Sequence, residues 1–248
     1  SQAQRCLQHP QGSRRALNKN IPEQVILDTL ASLDKEWINL KLYFILGLPG
    51  ETLEDVEGIV ELVSRVSRLC PKSRLHVSAS VLIPKAHTPC QWLGQEKEEL
   101  LLPKYELLKR GLSQLRIRFS RPDLNASKIE AALSRGDRRL GQVIHRAWRQ
   151  GCKFDAWSEH FDYPRWLSAF KEQGVALSFY ANRERAQDEV LPWEHIDSGV
   201  SAEFLQREYR KMMGAEETPD CASGKCNACG LERRAASCQE IYRRKPAR

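Results

Sequence analysis

Residues 40–55 read LKLYFILGLPGETLED, and on this stretch the fold turns. An apolar run rich in aromatic and β-branched residues (Leu42, Tyr43, Phe44, Ile45, Leu46) meets Gly47, Leu48, Pro49 and Gly50; Thr52 then opens a helical pattern with Asp55 three places on. The pattern predicts a strand, a tight turn and a capped helix. Glycines let the backbone approach a ligand with no Cβ in the way, and the helix start aims free N–H groups at the same spot. Such a turn suits a phosphate, a carboxylate or a nucleotide-like ligand, and it is also the ordinary connection of an α/β domain. It is not a Walker loop, because the Lys that closes one is missing.

Outward from this turn, Val25, Ile26, Leu30, Leu33 and Trp37 recur at helical spacing before the strand. After it, Val56, Ile59, Val60, Val63, Val66 and Leu69 mark one helix face that ends by Pro71. Residues 74–83 alternate as a strand does, and two strands joined by a helix of this length predict a parallel βαβ unit. A leucine-rich helix from Lys97 to Leu115 follows, and LRIRF at residues 115–119 offers an added strand. Two parallel strands cannot cover their own faces or close a barrel, so further strands are expected upstream of Ser1 or in a partner chain. The opening on Ser1, with no periodic segment before Pro22, points the same way.

From Asp123 the pattern is helical. Residues 125–135 form one predicted helix; Leu140, Val143, Ile144, Ala147 and Trp148 stripe a second, whose far side carries Arg138, Arg139, Arg146 and Arg149. That side can grip phosphates, although a solvated face is the plainer reading. Asp162 with Pro164, and Ser201, cap two more. Trp157, Glu159, His160, Trp193, Glu194, His195 and Asp197 fall in the loops between, where such residues can line a pocket. The chain therefore divides into residues 1–120, residues 121–215 and a tail over 216–248.

The net charge of +7 belongs to the two ends: residues 1–20 carry +4 and residues 233–248 carry +5, leaving −2 between. This is not the distribution of a basic nucleic-acid domain, although basic tails can hold a polyanion. No apolar run approaches the ~18 residues of a membrane span, and no leader precedes the first element, so a cytoplasmic protein without membrane contact is expected. Of eight cysteines, Cys6, Cys70, Cys90 and Cys152 are scattered and read as small buried hydrophobes. Cys221, Cys226 and Cys229 stand as C-x4-C-x2-C within PDCASGKCNACG, and Cys238 follows. Thiolates so spaced converge on one soft ion, with zinc and an iron–sulfur cluster both open.

Several segments together carry a family resemblance: GSRRALNKN at residues 12–20, LKLYFILGLPGET at 40–52, VSASVLIPKAHTP at 77–89, GDRRL at 136–140, FDAWSEHFDYPRW from Phe154, LPWEHIDSGVSAEFL from Leu191, and the cysteine tail after TPDC. The chain resembles the C-terminal half of the cobalamin-binding radical SAM proteins of unestablished substrate. The resemblance implies an α/β fold made of the last βα units of a partial TIM-like barrel, followed by a mostly helical region and the cysteine-rich tail. It implies S-adenosylmethionine (SAM) at the strand ends, a 4Fe-4S cluster, an upstream cobalamin domain, and a 5′-deoxyadenosyl radical that removes a hydrogen atom from substrate.

Residue by residue, it sets Ile45, Gly47, Pro49, Gly50 and Glu51 against the adenosine of SAM, and Gly12 and Ser13 near its ribose and amino acid portion. Pro84 and His87 to Pro89 match the loop after the last strand. The chain departs from the family in having no CxxxCxxC, in carrying Pro10 and Gln11 where an acidic residue precedes Gly-Ser, and in placing Glu232 where the tail adds another CxxC step. The cluster's ligands must then lie in an upstream half or a separately encoded partner. The basic ends suit a macromolecular substrate, RNA or protein. The rival expectation is a non-catalytic, metal-stapled module that binds RNA or protein.

Overall fold

The computed structural model describes residues 22–32, 39–222 and 224–243. Gly12, Ser13 and Cys6 lie outside them, as do Leu33 and Trp37. Within them the chain is a mixed α/β protein with one small three-stranded parallel sheet and a larger number of helices.

The stretch at residues 40–55 folds as its pattern demands. Strand β1 (Asn39–Leu46) follows helix α1 (Glu23–Ser32), and helix α2 (Leu53–Leu69) leaves the turn. Thr52 caps α2 through a reciprocal box: Asp55 N–H donates to the Thr52 hydroxyl at 3.3 Å, and Thr52 N–H donates to the Asp55 carboxylate at 2.8 Å. Strand β2 (Arg74–Val81) lies parallel to β1, with Asn39 opposite Arg74 and Leu46 opposite Val81. Helix α3 (Glu98–Gln114) leads to β3 (Arg118–Ser120), parallel to β2, in the sheet order β1-β2-β3. The LRIRF expectation thus holds with a shift of three residues at its start.

This sheet is covered on one side. Leu46, Val77, Ala79 and Val81 are buried beneath Val56, Ile59 and Val63 of α2 and Leu101, Leu108 and Leu112 of α3, and α1 adds Leu30. The partners across the register on the other face are Lys41 and His76, Tyr43 and Ser78, Ile45 and Ser80. Tyr43 is 72% exposed and Ile45 41%. Among the described residues β1 and β3 are the two edge strands, and β1 borders this face. A parallel sheet is ordinarily buried on both faces, so a bare face beside a bare edge marks a surface that something else must cover.

The second part is helical: α4 (Leu124–Ser134), α5 (Leu140–Arg149), α6 (Tyr163–Glu172), the short α7 (Leu177–Ala181) and α8 (Ala202–Gly214). Ile129, Ala132, Val143, Ala147, Trp166, Phe170 and Tyr180 make its core. Asp162 and Ser201 cap α6 and α8 by accepting from Arg165 N–H and Phe204 N–H. The period had not shown α7, whose five residues are too few to print one.

Arg135, with none of its surface exposed, ties this core together: its guanidinium donates to the carbonyls of Tyr180 (2.6 Å), Ala181 (3.0 Å) and Arg183 (2.7 Å). Burial draws its pKa down to about 10. The two parts meet where Gly94 lies against Asn182: Gln95 N–H donates to Ala181 O at 2.8 Å, and the Asn182 amide to Gln95 O at 2.9 Å. No helix among the described residues is long and apolar enough to cross a membrane.

Candidate functional site

The turn after β1 is built by its two left-handed glycines, Gly47 (φ 82) and Gly50 (φ 74). Glu51 N–H donates to Leu48 O at 3.0 Å, closing a four-residue turn with Pro49 and Gly50 at its centre. The anion at this turn is the protein's own. Glu51 folds back so that its carboxylate accepts from Gly47 N–H at 2.9 Å. Lys104, from α3, lies 2.9 Å from the same oxygen and donates to both oxygens of Glu96 at 2.8 Å.

The side chains of Lys104 and Glu51 are 5% and 3% exposed and that of Glu96 is 17%. Burial pushes the Glu51 carboxyl above its ordinary range; the Lys104 charge and the Gly47 N–H pull the other way, and Glu96 adds repulsion. Gly47, Pro49, Gly50 and Glu51 therefore form one braced turn, with Gly50 left exposed at its tip and Ile45 on the bare sheet face behind it. Neither Lys104 nor Glu96 was legible as part of this site, because nothing in the local sequence links them to Glu51.

A second concavity opens beyond the strand ends. The segment after β2 carries His87 in a left-handed conformation (φ 54), just before a 3-10 turn at Pro89–Trp92. Gln91 holds it: one amide oxygen accepts from His87 N–H at 3.1 Å and from the Trp193 indole at 2.8 Å. Around them lies a cleft of about 240 Å³, walled by His87, Gln91, Trp92, Trp193, Glu194, Asp197 and Val200 and, from α8, by Leu205 and Gln206. His87 Nε2 and the Trp92 indole N–H are hidden from solvent without a hydrogen-bond partner.

Two carboxylates of this region are held ionised by cations: Glu189 by hydrogen bonds from Arg183 and Asp197 by one from Arg234, each drawn below its usual range. Of the loop residues singled out in the sequence, Trp193, Glu194 and Asp197 come together here. Trp157, Glu159, His160 and His195 do not line the cleft.

The cysteine tail docks beside that cleft. Ala228 N–H donates to the Cys226 sulfur at 3.4 Å, and the backbone on both sides of Cys229 is left-handed (Ala228 φ 50, Gly230 φ 108). Burial first, then Asp220 and the neighbouring Cys226 and Cys229, push the Cys221 thiol up. Cys238 lies half-buried on α9 (Ala236–Arg243). Among the described residues no three His, Cys, Asp or Glu side chains are gathered at metal-binding geometry. The chemistry of the donor set, three soft thiols with one sulfur already accepting a backbone N–H, fits a thiophilic ion nonetheless.

No family model matches the chain, and no solved structure matches it. Over 163 residues it is 27% identical to an uncharacterized protein of Methanocaldococcus jannaschii. The aligned region takes in 65% of this chain and 36% of the relative, so the chain spans well under two thirds of that relative's length.

Proposed function

We propose that this chain supplies the rear wall of a radical SAM barrel, with the helical region standing on the substrate side of its strand ends. The observation that carries this reading is the one-sided sheet. Three parallel strands are sheathed by helices on their outer face only, as in a barrel wall, and the inner face ends at a glycine turn. Active sites of such barrels gather at the C-terminal ends of the strands, where the Gly47 to Glu51 turn and the cleft behind His87 both lie.

The residues present fit part of the cofactor. Ile45, exposed at the end of β1, offers an apolar surface to an adenine ring, and the exposed backbone of Gly50 lets it come close. Glu51 acts indirectly, since its carboxylate is committed to Gly47 N–H and Lys104; it shapes the turn. SAM bound beside a reduced 4Fe-4S cluster supplies hydrogen-atom abstraction. The cluster's CxxxCxxC ligands are not in these 248 residues, and a cobalamin domain would likewise come from polypeptide upstream. The test is SAM binding by equilibrium dialysis to the anaerobically reconstituted full-length protein. Ile45→Glu, on the exposed face, is expected to weaken binding at least tenfold at unchanged thermal stability; equal affinity for SAM would refute the reading.

One observation favours a second, non-catalytic reading, that of an RNA-binding module. From Arg138 to Lys153 the chain carries five cations and no acid. On α5 the rings of His145 and Trp148 stack at 5.8 Å, with Trp148 52% exposed. Exposed aromatic faces beside cations suit single-stranded nucleic acid. Binding of a single-stranded RNA that falls with salt at a log–log slope of about −2, and is lost in an Arg138→Glu, Arg149→Glu, Lys153→Glu variant, would support this reading.

A further inference from the structure

The contacts of the cysteine turn give it a job beyond its own local order. Ser201 N–H, at the cap of α8, donates to Cys229 O at 2.7 Å. Gly230 packs so closely on this segment that a Cβ would stand 2.7 Å from Gly199 O and 3.0 Å from Ser201 N. Arg207, one turn and more into α8, donates to Asn227 O at 3.0 Å and Ala228 O at 3.1 Å. Arg234, past the turn, pairs with Asp197. Asp197, Ser198 and Val200 are themselves a wall of the cleft. The backbone that bears Cys226 and Cys229 and the backbone that walls the cleft are thus in direct contact, held by hydrogen bonds at both ends.

We propose that the sulfurs of Cys221, Cys226 and Cys229, with Cys238 as the fourth ligand, close on one zinc ion as it binds, and that this ion fixes residues 197–201 as the wall of the cleft. Cys226 and Cys229 flank one two-residue turn, the bite that sets two sulfurs on one tetrahedral centre, and a backbone N–H already supports the first sulfur. The 3-10 turn at Leu231–Arg233 begins directly after Gly230 and carries the chain into α9, which holds Cys238 nine residues beyond Cys229. On binding, four thiols lose their protons to solvent and no electron is transferred. The site is independent of the radical barrel reading: it needs neither SAM nor an upstream domain.

Metal analysis of the full chain, purified without chelator, tests the site. About one zinc per chain is expected, lost in Cys226→Ser and Cys229→Ser and kept in Cys90→Ser. Cobalt substitution of the wild-type chain should give thiolate charge-transfer and tetrahedral bands, and Cys238→Ser should weaken cobalt binding at least tenfold. Hydrogen exchange reads the second half of the proposal: stripping zinc should speed exchange of the Gly199 and Ser201 amides about tenfold or more, with the same rates in Cys226→Ser. The proposal is overturned by a chain that binds no metal, by iron and sulfide in place of zinc, by undiminished binding in Cys226→Ser or Cys238→Ser, or by exchange at 197–201 that ignores zinc.

Discussion

Replacing Lys104 by Met should expose how the glycine turn is held. The ammonium is 5% exposed and serves two carboxylates, Glu51 at 2.9 Å and Glu96 at 2.8 Å. Met fills much of the same volume, so the loss is chiefly of charge. Removing one member of a buried ion pair costs about 3–5 kcal/mol, because the remaining charge is stranded. At about 2–4 °C per kcal/mol for a chain of this size, the melting temperature should fall by about 6–20 °C at pH 7.

Glu51 makes the loss depend on pH. Its folded carboxyl already lies above the unfolded value, and without Lys104 the main force holding it down is gone. A carboxyl raised on folding gives stability that is full below its unfolded pKa and is lost as pH rises through the folded one. The Lys104→Met penalty should therefore be smaller at pH 5 than at pH 7, and Glu51→Gln in the same chain should recover much of it at pH 7. Denaturant melts at the two pH values decide the matter. A variant as stable as wild type, or a penalty that neither lower pH nor Glu51→Gln reduces, would refute the internal-anion account of the turn.

Three further outcomes follow from the packing. Arg135→Met should cost about 3–5 kcal/mol in urea unfolding, since it strands three buried carbonyls; a loss below about 1 kcal/mol would show that water replaces the guanidinium. Gly94→Ala would set a Cβ 2.1 Å from Asn182 O, a backbone clash that should cost about 3 kcal/mol or more and lower the soluble yield. Asp137 is held down to about 2, first by its hydrogen bonds from Arg139 and also by the Tyr180 hydroxyl. Its stabilisation should be complete above the ordinary Asp range and vanish as pH falls toward 2, so Asp137→Asn should flatten the acid limb of the stability profile.

The local periods of the sequence were enough for the elements. Hydrophobic spacing of about two and of 3.6 placed the strands and the longer helices, and short-range capping chemistry at Thr52, Asp162 and Ser201 placed helix starts, because each rests on residues a few positions apart. Even the need for something to cover the sheet was legible, since two or three parallel strands cannot bury themselves. The glycines of the turn were legible too, and so were the tail cysteines as a set of soft donors.

The sequence by itself determined a strand-turn-helix with room for an anion, a parallel sheet and a run of cysteines. Only the tertiary structure decided which anion fills that room, because Lys104 reaches Glu51 from 53 positions away, after the packing of α2, α3 and the sheet has brought them together. Likewise Gln91 meets Trp193 across 102 positions, and Ser201 meets Cys229 across a loop and a helix. Hydrogen bonds and ion pairs act over about 3 Å of space whatever the distance along the chain. Period and capping record what a residue does with its neighbours, and these partners become neighbours only in the fold.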